Sequence, residues 1–105
     1  MKVSGTRTDR NLVLQLHGEL DHHAAKEVMT EIDRHLDVAL PLRTELDFSN
    51  VSFMDSSGIA VVINALRAMT QIEGKLLLSG IGNQPMRVFR ASGIDKLVEI
   101  REAVS

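Results

Sequence analysis

The chain changes its hydrophobic period within a few residues near its middle, and this change constrains the fold more than any other feature. Residues 44–48 alternate polar and apolar side chains, which is the period of a half-buried strand. After the sequence Asp-Ser-Ser-Gly at 55–58, apolar residues recur at helical spacing through 59–69. A strand followed directly by a helix is therefore predicted, with the hydroxyl of Ser56 in the first helical turn. A phosphate on that hydroxyl would meet the positive end of the helix dipole.

Strand and helix patterns also alternate along the rest of the chain. Strand patterns occupy residues 1–7, 11–17, 43–48, 75–79 and 96–101. Helical patterns begin after Asp21, near Ser56 and near Pro85. We expect Asp21 and Asp55 to act as N-caps, because a carboxylate accepts hydrogen bonds from the free N–H groups of a first turn. The alternation predicts an α/β fold with a largely parallel or mixed sheet and helices packed on it.

Composition excludes several classes of protein. The chain has 105 residues, 44% of them hydrophobic, and we expect a single domain over residues 1–105 with an aliphatic core. Only 3% of the residues are aromatic and the net charge is −2, which argues against binding to nucleic acid. The absence of cysteine excludes disulfides and cysteine-based sites. With no segment of membrane-spanning length and no signal peptide, a cytoplasmic protein without membrane contact is expected.

Candidate catalytic and metal-binding residues lack the patterns that those chemistries require. Ser56 and Ser57 are not preceded by the glycine of a G-x-S-x-G nucleophile elbow, and no convergent triad is indicated. His22 and His23 are adjacent and do not share a helix face, so they form a poor chelating pair. They are interpreted as polar residues of a first turn, with a contribution to a protein contact beside Asp21 as the alternative.

Three further features leave alternatives open. The glycines of residues 80–82 do not complete a dinucleotide-binding pattern because position 85 is proline, so a loop is expected, with a small-ligand or nucleotide site as the alternative. Phe53 and Met54 are expected to be exposed and to belong to a contact surface. Small apolar residues outside the main stripe of the second helix predict either burial against neighbouring helices or a docking surface; they are Ala60, Val61, Ala65 and Ala68.

Three segments together resemble the anti-sigma factor antagonist family, the STAS domains. The first is SFMDSSGI at 52–59, which resembles the signature of the family. The second is GELDHHA at 18–24, which is similar to its sporulation branch, and the third is RVFRASGI at 87–94. They occur in the order expected for the family, and the resemblance covers about residues 11–100.

The resemblance implies a mixed sheet of four or five strands packed with about four helices, and a protein that is not an enzyme. The unphosphorylated protein would bind an anti-sigma factor that is also an ATP-dependent serine kinase, and so release a sigma factor for transcription. The kinase would phosphorylate Ser56 and end the interaction, and a serine phosphatase would restore it. No cofactor or metal is implied, and the free protein is expected to be a monomer. An alternative is a scaffold or signal-transmitting STAS module in a larger assembly, without serine phosphorylation.

The resemblance also implies a set of site residues. The predicted partner-binding residues are Asp21, His22, Met54, Asp55, Ser56, Ser57, Gly58 and Ile59. Asp21 matches a family position at the partner interface, and Asp55 precedes the phosphoacceptor. Gln84 is a departure, since relatives often have serine before Pro85, and Asn83 is therefore expected to cap the third helix instead.

Overall fold

The structure, a computed structural model, describes residues 1–101. Its elements are β1 (Lys2–Thr8), β2 (Asn11–Leu20), α1 (His22–Ala39), β3 (Arg43–Met54), α2 (Ser57–Gln71), β4 (Lys75–Ser79), α3 (Asn83–Ser92), a 3-10 turn (Ile94–Lys96) and β5 (Glu99–Arg101). The strand order is β1-β2-β3-β4-β5; the β1–β2 hairpin is antiparallel and the other pairs are parallel. The predicted mixed sheet is confirmed. The described residues form three α-helices and one 3-10 turn where about four helices were expected, and β5 begins at Glu99 rather than at residue 96 because the turn occupies Ile94–Lys96. Within residues 1–101, no helix combines the length and the apolar character needed to cross a membrane.

The core lies between the helices and one face of the sheet. Leu14, Leu46 and Leu78 are neighbours in the register of three strands and are fully buried. The stripe of α1 that faces them buries Ala25, Val28, Ile32 and Leu36. The aliphatic core predicted from composition is present, and Phe48 and Phe89 add an edge-to-face contact with ring centroids 5.5 Å apart.

Packing against α1 and the sheet accounts for most of the small apolar residues of α2. Val61 and Ala65 are fully buried, and Ala68 is half-buried and packs against the same core. Ala60 is exposed. Burial, one of the two interpretations of this pattern, therefore holds for Val61, Ala65 and Ala68. Small side chains at these positions let neighbouring elements approach closely.

Two strands extend further than their side-chain alternation predicts. β2 continues beyond His17 to Leu20, and β3 continues beyond Phe48 to Met54, because the two backbones keep pairing in parallel. Register shifts between Gln15 and His17 and between Gly18 and Glu19 accommodate the extension as β-bulges do, and Gly18 has a φ of 109°. Alternation of polar and apolar residues indicates which side chains are buried, not which backbones pair. The extended part of β3 has mostly exposed side chains, so it carries no alternating apolar pattern.

Met54 and Gly58 close the junction between β3 and α2. Met54 is fully buried, whereas Phe53 is 43% exposed, so the expectation that both are exposed is wrong for Met54. Successive side chains of a strand point to opposite faces, and Met54 therefore turns into the core when Phe53 turns out. A Cβ atom on Gly58 would collide with the Sδ and Cγ atoms of Met54. The glycine thus lets the first turn of α2 lie directly on the methionine.

This contact predicts that Gly58→Ala lowers the free energy of unfolding by about 2 kcal/mol, the usual cost of overpacking a filled site. The loss is expected although alanine is intrinsically the better helix former by about 1 kcal/mol. Gly82→Ala is the control, because the nearest atom to its new Cβ would be Cδ of Pro85 at 4.0 Å. That control should cost less than about 1 kcal/mol. Equal effects of the two substitutions in urea denaturation would contradict the tight contact.

Candidate functional site

Two helices begin side by side at the carboxyl edge of the sheet. β2 and β3 are parallel neighbours with Leu20 opposite Met54, so the residues that follow them emerge together. Asp21 follows β2 and precedes α1, and Asp55 follows β3 and precedes α2 by one further residue. Parallel pairing therefore brings together two acidic helix starts that are far apart in the sequence.

Asp21 caps α1. Its Oδ1 atom accepts hydrogen bonds from the backbone N–H of His23 at 3.1 Å and of Ala24 at 3.0 Å. Its own backbone is extended, as is usual for a residue in this position. The predicted N-cap is confirmed, and the half-buried carboxylate satisfies two N–H groups that the helix leaves free.

Asp55 joins the beginnings of both helices. Its Oδ1 atom accepts from the Ser57 N–H at 2.8 Å, so the predicted capping bond is present. The N-cap position itself is occupied by Ser56, so the expectation that Asp55 is the N-cap residue is wrong. Its Oδ2 atom accepts from the His22 N–H at 3.1 Å, a contact between α1 and α2 that no local pattern indicates. The N–H of Asp55 donates to the Leu20 carbonyl oxygen at 3.2 Å. The residue is therefore held from β2, from α1 and from α2.

These contacts favour the ionised form of the carboxyl group. The backbone N–H of Ser57 is the largest influence that holds the pKa of Asp55 below its usual value of 3.8, and partial desolvation opposes it. The Ser57 hydroxyl, the His22 N–H and the charge of the His22 ring also lower this pKa. At neutral pH, Asp55 thus places a full negative charge next to Ser56.

Ser56 differs from Asp55 and Asp21 because its side chain makes no capping hydrogen bond. The residue is exposed, its backbone is helical (φ −62°, ψ −16°), and its hydroxyl makes no capping hydrogen bond. The N–H groups of Ser57, Gly58 and Ile59 already have acceptors in Asp55 and in the Ser56 carbonyl group. A phosphate on Ser56 would therefore feel the field of the helix dipole without having to displace any of these bonds.

Most of the predicted partner-binding residues reach the surface at this edge. Six are exposed or half-buried: Asp21, His22, Asp55, Ser56, Ser57 and Ile59. Met54 and Gly58 are buried, so the structure does not leave them available for direct contact, and they support the surface from below. The rings of His22 and His23 are exposed, with centroids 3.9 Å apart. Residues 1–101 contain no cluster of three or more side chains suited to hold a metal ion.

Gln84 is a member of the site that the sequence analysis missed. Its Oε1 atom accepts from the Met54 N–H at 2.9 Å, and its Nε2 atom donates to the Met54 carbonyl oxygen at 2.6 Å. Asn83 was expected to cap α3, but Gly82 occupies the N-cap position and no side-chain capping bond forms, so this expectation is wrong. The one signal was the glutamine itself, in a position where the family resemblance suggests serine.

The capping bonds of Asp55 predict an acid-dependent contribution to stability. Because the pKa of Asp55 is lower in the folded chain, its stabilising effect is fully present above the unfolded pKa and is lost as the pH falls through the folded value. The difference in unfolding free energy between wild type and Asp55→Asn should be constant above about pH 5 and should shrink below about pH 4. Asp37→Asn, at an exposed carboxyl group of α1, is the control. In urea titrations, a difference for Asp55→Asn that stays constant to the lowest pH would contradict the argument.

Comparison with known proteins agrees with this architecture. Residues 2–105 match the family described as STAS domain. An anti-sigma F factor antagonist of Lysinibacillus sphaericus is 30% identical over 87 residues, which cover 83% of this chain and 74% of that protein. An anti-sigma-B factor antagonist of Listeria monocytogenes is 29% identical over 84 residues, which cover 80% of this chain and 73% of that protein.

Solved structures of an anti-sigma factor antagonist, SpoIIAA, have the same fold. The unphosphorylated form aligns with a TM-score of 0.82 and 27% identity, covering 99% of this chain and 90% of that one. The phosphorylated form of the Bacillus protein aligns with a TM-score of 0.74 and 27% identity, covering 99% and 93%. The family match spans nearly the whole sequence, and the resemblance drawn from the three segments is confirmed. The chain belongs to the STAS domain family.

Proposed function

We propose that the protein is an anti-sigma factor antagonist whose unphosphorylated form binds an anti-sigma factor, itself an ATP-dependent serine kinase, and thereby releases a sigma factor. The observation that carries the proposal is the exposed Ser56 hydroxyl, free of side-chain capping, between two firmly held helix starts. Relatives named as anti-sigma factor antagonists support the class of partner. In this role the protein acts in the cytoplasm by binding its partner, without a cofactor. A serine phosphatase removes the phosphate from Ser56 and so restores binding.

The surface around Ser56 suits a partner that is both apolar and basic. Asp21 and Asp55 are half-buried carboxylates at this edge, and Glu19 is exposed beside them at the end of β2. Phe53 and Ile59 add accessible apolar surface. Complementary charge would set the orientation of the partner, and the apolar groups would supply area to bury.

Phosphorylation would act on this surface through charge. It adds about −1.5 to −2 charge units to a hydroxyl that was neutral. The new charge would stand next to the ionised Asp55, inside an interface that partner binding removes from water. Like charges in such a contact cost several kcal/mol. A loss of about 3–4 kcal/mol weakens binding several hundredfold, which is enough to release the partner.

The first test compares Ser56→Ala with Ser56→Asp. The alanine variant should bind the anti-sigma factor as the wild type does and should not gain a phosphoryl group from the kinase and ATP. The aspartate variant should bind at least tenfold more weakly, since it brings one charge in place of two. Ser52→Ala, at an exposed serine of β3, is the matched control and should be phosphorylated normally.

Intact mass after incubation with kinase and ATP, together with calorimetric titration, measures these outcomes. Wild type that binds the partner but never gains mass would favour the scaffold function instead. Tight binding by Ser56→Asp would count against charge repulsion as the switch.

The second test concerns the backbone. The first turn of α2 already has acceptors for its N–H groups, so the phosphorylated and unmodified proteins should have the same fold. Amide chemical-shift changes on phosphorylation should remain near residues 21–23 and 54–60. Changes that spread along α2 to Gln71, or a displaced α2 in superimposed structures, would refute a purely electrostatic switch.

A further inference from the structure

The last residues of β3 have a pairing strand on only one side. The ladder between β3 and β4 ends at the pair Asp47–Ser79. The ladder between β3 and β2 continues to the pair Leu20–Met54. Residues 48–54 of β3 therefore extend past the end of β4, and the backbone groups that point to that side need other partners.

The side chain of Gln84 supplies the missing pairing at Met54. A primary amide presents a donor and an acceptor in one plane, as a peptide group does. The N–H and the carbonyl oxygen of Met54 both bond to this amide, at 2.9 Å and 2.6 Å. The next N–H, that of Asp55, points the opposite way and donates to the Leu20 carbonyl oxygen. This alternation is that of a strand between two neighbours, so the amide takes the place of one residue of a neighbouring strand.

Gln84 is held on a firm support. It lies in the first turn of α3, where Pro85 is buried and the Met86 N–H donates to the Gly82 carbonyl oxygen at 3.0 Å. Phe89, one turn further along the helix, is fully buried in the core. The backbone that carries the amide is therefore fixed, and the amide can leave β3 only if the Gln84 side chain rotates and gives up both hydrogen bonds.

We propose that Gln84 is a positioning residue for the Ser56 switch. Its two hydrogen bonds set the direction in which the chain leaves β3 at Met54. The position of Met54 in turn fixes the position of Asp55, whose carboxylate accepts hydrogen bonds from the starts of α1 and α2. The orientation of the Ser56 hydroxyl toward the kinase and the partner then depends on a contact from α3. This inference rests on the proposed function, and it adds the start of α3 to the elements that shape the phosphoacceptor.

Gln84→Met tests the role of the hydrogen bonds, because methionine has a similar length and fills a similar space without an amide. With this variant as the kinase substrate, we expect kcat/KM for Ser56 phosphorylation to fall about tenfold, since small misplacements of a reacting group have effects of that size or larger. Ser79→Ala is the control; it removes another half-buried side-chain hydrogen bond, 2.7 Å to Glu45, and Ser79 pairs with Asp47, before the part of β3 that Gln84 contacts. The control should change kcat/KM less than about twofold. Circular dichroism at the assay temperature verifies that both variants are folded.

Amide hydrogen exchange of the free protein gives a second reading that does not need the kinase. In Gln84→Met, the amides of Met54 and Ser57 should exchange faster, and those in the middle of α1 should not change. Unchanged exchange at Met54 would overturn the pairing role. Faster exchange with normal phosphorylation would overturn the positioning role and leave the proposed function intact. Failure of the wild type to be phosphorylated would instead remove the proposed function, and with it the part of Gln84 in the switch.

Discussion

The site depends on one carboxylate that connects two helices. Asp55 accepts a hydrogen bond from the start of α1 and another from the start of α2, while its own N–H is bound to β2. This is geometrically feasible because β2 and β3 run parallel and end at the same height. The positive ends of two helices then surround a group that stays ionised, and Ser56 is placed directly after it. This bridge adds a direct bond between the two helix starts that the pairing of β2 and β3 brings together.

A site built in this way suits a switch that works by adding charge. The backbone N–H groups that follow Ser56 already have acceptors, and the Ser56 hydroxyl makes no capping hydrogen bond. In the proposed function, a phosphate on Ser56 would change the surface without changing the fold, so that partner binding would weaken while the core kept its packing. The buried contact of Met54 with Gly58 below, and the amide of Gln84 beside it, hold the same short segment from two more directions. The SpoIIAA structures of both phosphorylation states share the fold of this chain.

Local chemistry predicted a large part of the site. The capping bonds of Asp21 and Asp55 could be predicted because such a carboxylate and the N–H groups that donate to it lie within three positions of each other. The order of strands and helices could be predicted from the hydrophobic period, because that period is also a property of short stretches of sequence. The bond from Asp55 to His22, the pairing of Gln84 with Met54 and the burial of Met54 could not be predicted in this way. Each joins residues about thirty positions apart or depends on the face that a strand end turns toward the core.

The sequence by itself determined the type of the three α-helices and five strands within residues 1–101, though not the 3-10 turn, and it determined the two acidic helix starts and the serine at the second of them. These are short-range properties, set by side-chain period and by bonds within one turn. Only the tertiary structure decided that the two starts meet, that Met54 points inward and Phe53 outward, and that α3 reaches back to β3 through Gln84. The physical reason is that parallel strand pairing and core packing are cooperative over the whole domain. Strand pairing and core packing determine which arrangement of the helices and strands forms, since the conformational preferences of short segments do not distinguish between these arrangements.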